Sequence, residues 1–521
     1  MAHPENTAHP GNEPVPPRRP KPARATLTRT LLTAVLASLT LLAAAAAPAH
    51  AAPTTAFRLV DLPARDGAVL KANLISPTAP GPHPAIVFIS SWGLNDAEYL
   101  AQARSLATAG YVVLSYTARG FWGSGGQIDT AGPKDVADVS AAIDWLDANT
   151  TADPARVGLG GVSYGAGIGL IAAGHDPRVR AVAALSGWSD LVESLYAGQT
   201  RHPQAVWLLA ATAQLLGRPS AEFERIVSDY FANRNIDGIT AWGRIRSAET
   251  YLNGLRANQP AVLLANAYGD SIFGPNQLVD FFGDLPGPKR LEFSPGDHAI
   301  PELTGLAGLP NEVWTSARQW FDQHLRGGPA GGAPVVLRVR NGGVESYTDW
   351  ADVTGSTTRH PLSAASFRAN GDTVANAGVV LLTNGLEALT GIPPLAWLPA
   401  VDRSRAAVWQ TGLLSGGAAV RGIPRVHLDI TPGAGSGTVV AYLYDVDLLG
   451  TGRLVTHAPY TWVSGGRQVI DLALPATAWN VPAGHRLALV LDTEDPLYLD
   501  ANPRGAAIAV TGSSWVDVPI R

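Results

Sequence analysis

From residue 57 to 186 short, almost continuous apolar runs alternate with stretches whose apolar positions recur at helical spacing. The runs at 85–90, 111–116, 156–160 and 179–185 lack the in-out alternation of a strand wetted on one side. They predict strands covered on both faces. Between them, 97–109 and 133–148 have helical period, the second with Val136, Val139, Ile143 and Leu146 on one face. The segment 166–173 predicts a helix of small residues able to pack closely on a sheet. Strand and helix in alternation imply a mostly parallel sheet with helices on both sides.

The strand pattern stops between 187 and 258. Amphipathic helices are expected there at 205–216, 221–232 and 248–257, among aromatics such as Trp188, Tyr196, Trp207, Phe223, Tyr230 and Trp242. An insertion of this kind after a core strand predicts a helical cap. Strands return at 261–266 and 291–293, followed by a helix at 312–325. The Gly/Pro-rich segment 327–334 is expected to be a linker. Beyond it, short alternating runs at 426–431, 438–445, 468–474, 486–492 and 506–510 predict an all-β sandwich of jelly-roll type spanning 335–521.

The amino terminus changes the accounting. Arg18, Arg19, Lys21, Arg24 and Arg29 precede an apolar stretch at 31–47, and Ala49-His50-Ala51 offers small residues for cleavage. This pattern predicts a signal peptide over 1–51, cleavage after Ala51 and a secreted protein without a stable membrane anchor. Pro48 and the shortness of the apolar stretch argue against a membrane span. The chain has no cysteine, so thiol nucleophiles, Cys-ligated metals and disulfides are excluded. Removing a leader with five basic and two acidic residues from a chain of net charge −5 leaves −8, which argues against nucleic acid as a partner. The catalytic domain is expected at 52–326, with the cap at 187–258.

Chemistry concentrates where the run 156–160 meets Gly161-Val162-Ser163-Tyr164-Gly165. Glycines two positions either side of a serine allow a strained strand-to-helix turn that pushes Ser163 out above the sheet. This is the nucleophile elbow of an α/β-hydrolase fold. The turn also sets the Tyr164 N–H at a helix N-terminus, a donor for a developing oxyanion. The serine needs an imidazole to take its proton and a carboxylate to orient that imidazole, in the chain order Ser, Asp, His. Asp270 follows the strand 261–266 and His298 the strand 291–293, both at ends where ligands of open α/β sheets bind. Asp297, next to His298, is expected to point away or to cap the loop; Asp280 and Asp284 lie on or after a helix; His324 lies within a helix and His175 follows the elbow helix. The second oxyanion donor is expected from the loop Ser90-Ser91-Trp92-Gly93, through the Trp92 backbone N–H or its indole N–H.

These pieces resemble the X-prolyl dipeptidyl peptidases, cocaine esterase and related acyl hydrolases (peptidase family S15, the CocE/NonD hydrolases). The resemblance rests on Gly-Val-Ser163-Tyr164-Gly, the loop from Arg119-Gly120 to Ser124-Gly125, Asp270, His298 and the carboxy-terminal β domain. It implies a hydrolase core, a helical cap and a jelly roll across 57–521. It also implies that Arg119 braces the loop beneath the site. Two departures bear on substrate: Thr117 replaces the family's Asp before Arg-Gly, and Trp92 stands near the place of its oxyanion tyrosine.

The expected activity is a cofactor-free serine hydrolase that transfers an acyl group to Ser163 and then to water, cleaving an amide or ester of a peptide or small molecule. Neutral His298 starts the cycle, so activity should fall below roughly pH 6.5. A dipeptidyl peptidase also needs a carboxylate for its substrate's amino terminus, and Asp190, Glu193, Glu222 and Glu224 are the acids available in the cap. The alternatives are a broad acyl esterase, or an exported binding protein on a hydrolase scaffold. Asp445-Val-Asp447-Leu-Leu-Gly450 has the opening of a calcium loop, but Leu449 sits at a ligand position and no Glu follows, so a hairpin turn is expected and no metal is assigned.

Overall fold

A computed structural model describes residues 54–521. The expected leader at 1–51, with its cleavage point, lies outside the described residues. The described chain begins with β1 (Thr55–Pro63), β2 (Val69–Pro77), β3 (His83–Ile89), α1 (Leu100–Thr108), β4 (Val112–Tyr116), α2 (Pro133–Asn149), β5 (Ala152–Val162), α3 (Tyr164–His175) and β6 (Val179–Leu185). The cap region follows as α4 (Leu191–Tyr196), α5 (Pro203–Leu216), α6 (Ala221–Ala232), α7 (Ile236–Arg244) and α8 (Leu252–Asn258). The core resumes with β7 (Ala261–Ala267), α9 (Asn276–Asp284), β8 (Lys289–Ser294), α10 (Leu303–Leu306), α11 (Glu312–Arg326), β9 (Val335–Arg338) and β10 (Val344–Tyr347).

Ten strands form one sheet in the order β1-β2-β4-β3-β5-β6-β7-β8-β9-β10. Its centre, from β4 through β3 to β9, is parallel; β1, β2 and β10 pair antiparallel at the margins. The continuous apolar runs have the predicted cause. On β3, Ala85, Val87 and Ile89 enter the core on one face while Ile86 and Phe88 enter the core on the other. On β7, Val262 and Leu264 divide from Leu263 and Ala265 in the same way.

Two boundaries differ from expectation. The Gly/Pro-rich stretch 327–334 does not end the hydrolase sheet, because β9 returns to pair in parallel with β8 and β10 closes the edge. Gly327 takes φ 68° to terminate α11, so the stretch is a helix stop and a return turn, whose composition looks like a linker's. The sandwich proper starts at Ser356–Pro361. In the cap region, α8 packs on α3 beside the sheet. It completes the crossover from β6 to β7, so the covering part ends at α7.

The carboxy-terminal strands form an eight-stranded and a five-stranded sheet. Val420, Leu428 and Ile430 from one meet Val439, Ala441, Leu443 and Leu491 from the other. The opposite face of the smaller sheet, with Val440, Tyr442 and Val490, is covered by residues from 375–401. The stretch 445–450 forms the expected hairpin turn, between Gly437–Val446 and Thr451–Trp462: Asp447 accepts from the Leu449 and Thr451 N–H, and Asp445 from Trp479 Nε1.

Candidate active site

Ser163 joins β5 to α3 with φ 57° and ψ −115°. A non-glycine residue held at such angles stores about 1–3 kcal/mol, which the surroundings must offset. Its N–H donates to the Leu185 carbonyl at 2.8 Å, fixing the turn to β6. A Cβ on Gly161 would stand 2.5 Å from the Gly165 carbonyl carbon, and one on Gly165 would strike the Ile89 carbonyl. The two glycines let the turn close and bring α3 against β3.

Asp270 and His298 reach the same point from the ends of β7 and β8. Ser163 Oγ is 2.8 Å from His298 Nε2, and His298 Nδ1 is 2.9 Å from Asp270 Oδ2. The other oxygen, Asp270 Oδ1, accepts from the N–H groups of Ile272 at 3.0 Å and Phe273 at 2.7 Å, which aims the carboxylate. All three side chains are buried. Burial pulls the His298 pKa down, but the charges of Asp270, Asp297 and Glu302 and the Asp270 hydrogen bond outweigh it, so the ring's pKa lies above its ordinary 6.5. Asp297 does cap the loop: Oδ1 accepts from Ser271 N, Ser271 Oγ and His298 N. His175 and His324 are elsewhere, against Tyr251 and Trp320.

Of the two expected oxyanion donors, Tyr164 directly follows Ser163 and Trp92 lines the same cavity as Ser163. Neither the Tyr164 nor the Trp92 backbone N–H has a hydrogen-bond partner among the described residues. The indole alternative does not hold, because Trp92 Nε1 donates to Leu209 O at 3.0 Å and Thr212 Oγ1 at 3.1 Å, tying the loop to α5. The Trp92 ring meets Tyr164 edge-on, with centroids 5.0 Å apart. Beneath it the Tyr164 hydroxyl donates to Asp135 Oδ2 at 2.7 Å, and burial pushes that carboxyl up to about 8.

Arg119 forms two hydrogen bonds to Asp138, at 2.8 and 2.6 Å, and pairs with Asp66 at 2.9 Å, holding its loop against α2 and the β1–β2 turn. Thr117 exchanges hydrogen bonds with Asp96, which also accepts from Asn73. Sequence reasoning passed over Ser91, Glu98, Asp135 and Glu302. Only Asp135, an acid in the first turn of a helix otherwise packed on the core, had a local signal.

Above the serine lies an apolar cavity. Its wall comes from the cap, including Leu195, Val206, Leu209, Phe223, Ile226 and Trp242, and no charged residue lines it. The four cap acids are engaged or placed elsewhere. Asp190 caps α4, Glu222 pairs with Arg246 at 3.4 Å and Glu224 accepts from Gln214 at 2.9 Å. Glu193 lines a second cavity, together with Asp270, Ser271 and His202. Among the described residues there is no cluster of three or more His, Asp or Glu arranged for a metal, and no helix long and apolar enough to cross a membrane.

Residues 66–300 match the X-Pro dipeptidyl-peptidase (S15 family), and residues 333–515 match the X-Pro dipeptidyl-peptidase C-terminal non-catalytic domain. Among curated proteins, the acyltransferase drtE of Aspergillus calidoustus is 27% identical over 275 residues, covering 50% of this chain and 85% of that one. The thiohydrolase apmlB of Arthrinium phaeospermum is 36% identical over 129 residues, covering 24% of this chain and 41% of that one. Among solved structures, an α-amino acid ester hydrolase superposes with a TM-score of 0.71 at 16% identity, covering 92% of this chain and 99% of that one. A CocE/NonD family hydrolase from Staphylococcus aureus gives 0.67 at 12% identity, covering 89% and 94%. With these matches over both its catalytic and its carboxy-terminal parts, the chain belongs to the S15 family of α/β-hydrolases, and is a serine hydrolase of peptidase or esterase type.

Proposed function

We propose that the protein hydrolyses esters or thioesters of an apolar carboxylic acid through an acyl-enzyme on Ser163. His298 takes the Ser163 proton as the hydroxyl attacks the carbonyl carbon, then delivers it to the departing alcohol or thiol. Asp270 holds the ring in the tautomer with its proton on Nδ1. The N–H groups of Tyr164 and Trp92 receive the oxyanion, each contributing about 3 kcal/mol in the transition state. In the second half-reaction His298 activates water against the acyl-enzyme, which releases the acid and restores Ser163. The leader at 1–51 is taken to direct export.

The observation that carries this reading is the apolar cavity opening on Ser163. An acyl chain entering it exchanges water for side chains such as Leu209, Phe223 and Ile226. A dipeptide's ammonium group would enter it without a counter-charge, and burying an unpaired charge is costly. The names of the two curated relatives, an acyltransferase and a thiohydrolase, agree with acyl chemistry. The X-Pro peptidase reading has the family match behind it and is decided by the same experiment.

The test compares aryl esters and thioesters of graded acyl length with an X-Pro anilide, using wild type and Ser163→Ala. Ester or thioester turnover should rise with chain length until the cavity is full and fall by at least about 10³-fold in the variant. Anilide cleavage exceeding ester cleavage would establish the peptidase instead. Turnover that survives Ser163→Ala would remove the mechanism.

A further inference from the structure

The parallel ladder between β3 and β5 ends at the pair Phe88–Gly160, two residues short of the end of β5. Val162, immediately before the nucleophile, therefore has no strand partner on its β3 side. Side chains supply the missing bonds. The Val162 N–H donates to the Tyr99 hydroxyl at 2.9 Å, and its carbonyl lies 2.9 Å from Ser91 Oγ. Ser91 is also held by Glu98, whose Oε2 accepts the Ser91 N–H at 2.8 Å and whose Oε1 lies 2.5 Å from Ser91 Oγ. Ser91 adjoins Trp92, so one cluster fixes both the nucleophile strand and the loop bearing the second oxyanion donor.

A count of protons decides the state of this cluster. The Ser91 hydroxyl has one hydrogen and faces two acceptors, Glu98 Oε1 and the Val162 carbonyl. The Tyr99 hydroxyl, which accepts from Val162, has its own hydrogen available to Glu98. With the carboxylate ionised, one of the two Ser91 Oγ contacts, at 2.5 Å to Oε1 or at 2.9 Å to the Val162 carbonyl, brings two oxygens together with no hydrogen between them. A proton on Oε1 donates to Ser91 Oγ, frees the hydroxyl hydrogen for Val162, and fills every contact.

We propose that Glu98, as a neutral carboxylic acid donating to Ser91, is a positioning residue that locks the Trp92 peptide to the nucleophile strand. Glu98 does not touch substrate; it acts through Ser91, and the proposal rests on the oxyanion assignment above. Of the two other titratable groups on its own turn, Tyr99 and Asp96, Tyr99 bonds to it, and Ser91 from the β3 loop and Val162 from β5 bring no charge. Asp96 on the same turn is occupied with Asn73 and Thr117. No basic side chain offsets the burial of Glu98, and burial pushes its carboxyl up to about 7. Raising the pH through that value removes the donated proton, breaks one contact and loosens the Trp92 peptide.

The test measures kcat and KM across pH 5.5–9 for wild type, Glu98→Gln, Glu98→Leu and Ser163→Ala on one ester. A glutamine reproduces the neutral pattern, with Nε2 donating to Ser91 Oγ and Oε1 accepting from Ser91 N. Glu98→Gln should keep the neutral-pH kcat of wild type but lose its decline above pH 7. Glu98→Leu should lower kcat roughly 10-fold to 100-fold with KM little changed, a fraction of what an oxyanion donor contributes. Should the leucine variant fail to fold, the glutamine profile still decides. An alkaline limb unchanged in Glu98→Gln, or full kcat in Glu98→Leu, would overturn the proposal. Loss of Ser163 dependence would instead overturn the reading on which it rests.

Discussion

Three acids bear on His298: Asp270, hydrogen-bonded to its Nδ1, and Asp297 and Glu302, whose ionised forms favour the imidazolium. Both additional carboxyls are themselves pushed up by burial, Asp297 to about 6 and Glu302 to about 7. A base with a raised pKa becomes protonated, and unable to accept the serine proton, at a higher pH than a free imidazole. The acid limb of kcat/KM should therefore fall above pH 6.5, higher than the sequence alone suggested. Asp297→Asn keeps an oxygen for the N–H groups of Ser271 and His298 but removes the charge. It should move the acid limb to lower pH in a pH–rate profile; an unmoved limb, or one moved upward, would show that Asp297 contributes no field at the ring. Ser163, Asp270 and His298, which the structure brings within hydrogen-bond distance of one another, could be singled out in the sequence because each follows a strand whose apolar run is unmistakable. Glu98 and Ser91 could not, since their significance depends on Val162, 71 residues from Ser91, arriving beside them.

At the scale of elements, legibility followed burial. Strand β6 was read to the residue and β7 and β8 to within two positions, because strands covered on both faces are apolar throughout. The strand Thr451–Trp462 was missed. Gly452, His457 and Pro459 break its alternation, and the adjoining register shifts between Leu443 and Tyr444. Helix α7 was missed too, for Gly238 and Gly243 fall inside it; Gly243 is there because a Cβ would meet the Val192 side chain at 2.7 Å. The return of β9 to the hydrolase sheet was hidden by a Gly/Pro-rich approach that has the composition of a linker. The Trp92 indole illustrates the same limit: its partners, Leu209 and Thr212, lie on a cap helix more than a hundred residues away. Only tertiary packing could assign that N–H to the cap.

Across the whole molecule, buried acids set a trend with pH. Burial pushes the carboxyls of Glu98 and Glu302 up to about 7 and that of Asp135 up to about 8, against ordinary values of 4.5 and 3.8. Between those limits the folded chain binds more protons than the unfolded one, so stability declines as pH rises. Burial has the opposite sign for His202 and His457, which are pushed down to about 4, but their contribution is complete above pH 6.5. Melting temperature should consequently fall between pH 6.5 and 8.5, and scanning calorimetry in matched ionic strength would show it; a rising Tm would mean that these acids are ionised in the fold. The central claim, however, is that one serine at the floor of an apolar cavity carries the acyl group. Its most direct measurement is rapid acid quench of the enzyme with a slowly hydrolysed long-chain ester, followed by mass spectrometry of the peptides. The account predicts one acyl mass added to the peptide containing Ser163 and none in Ser163→Ala. Turnover of that ester without an adduct at Ser163, or with the acyl group on another residue, would contradict it.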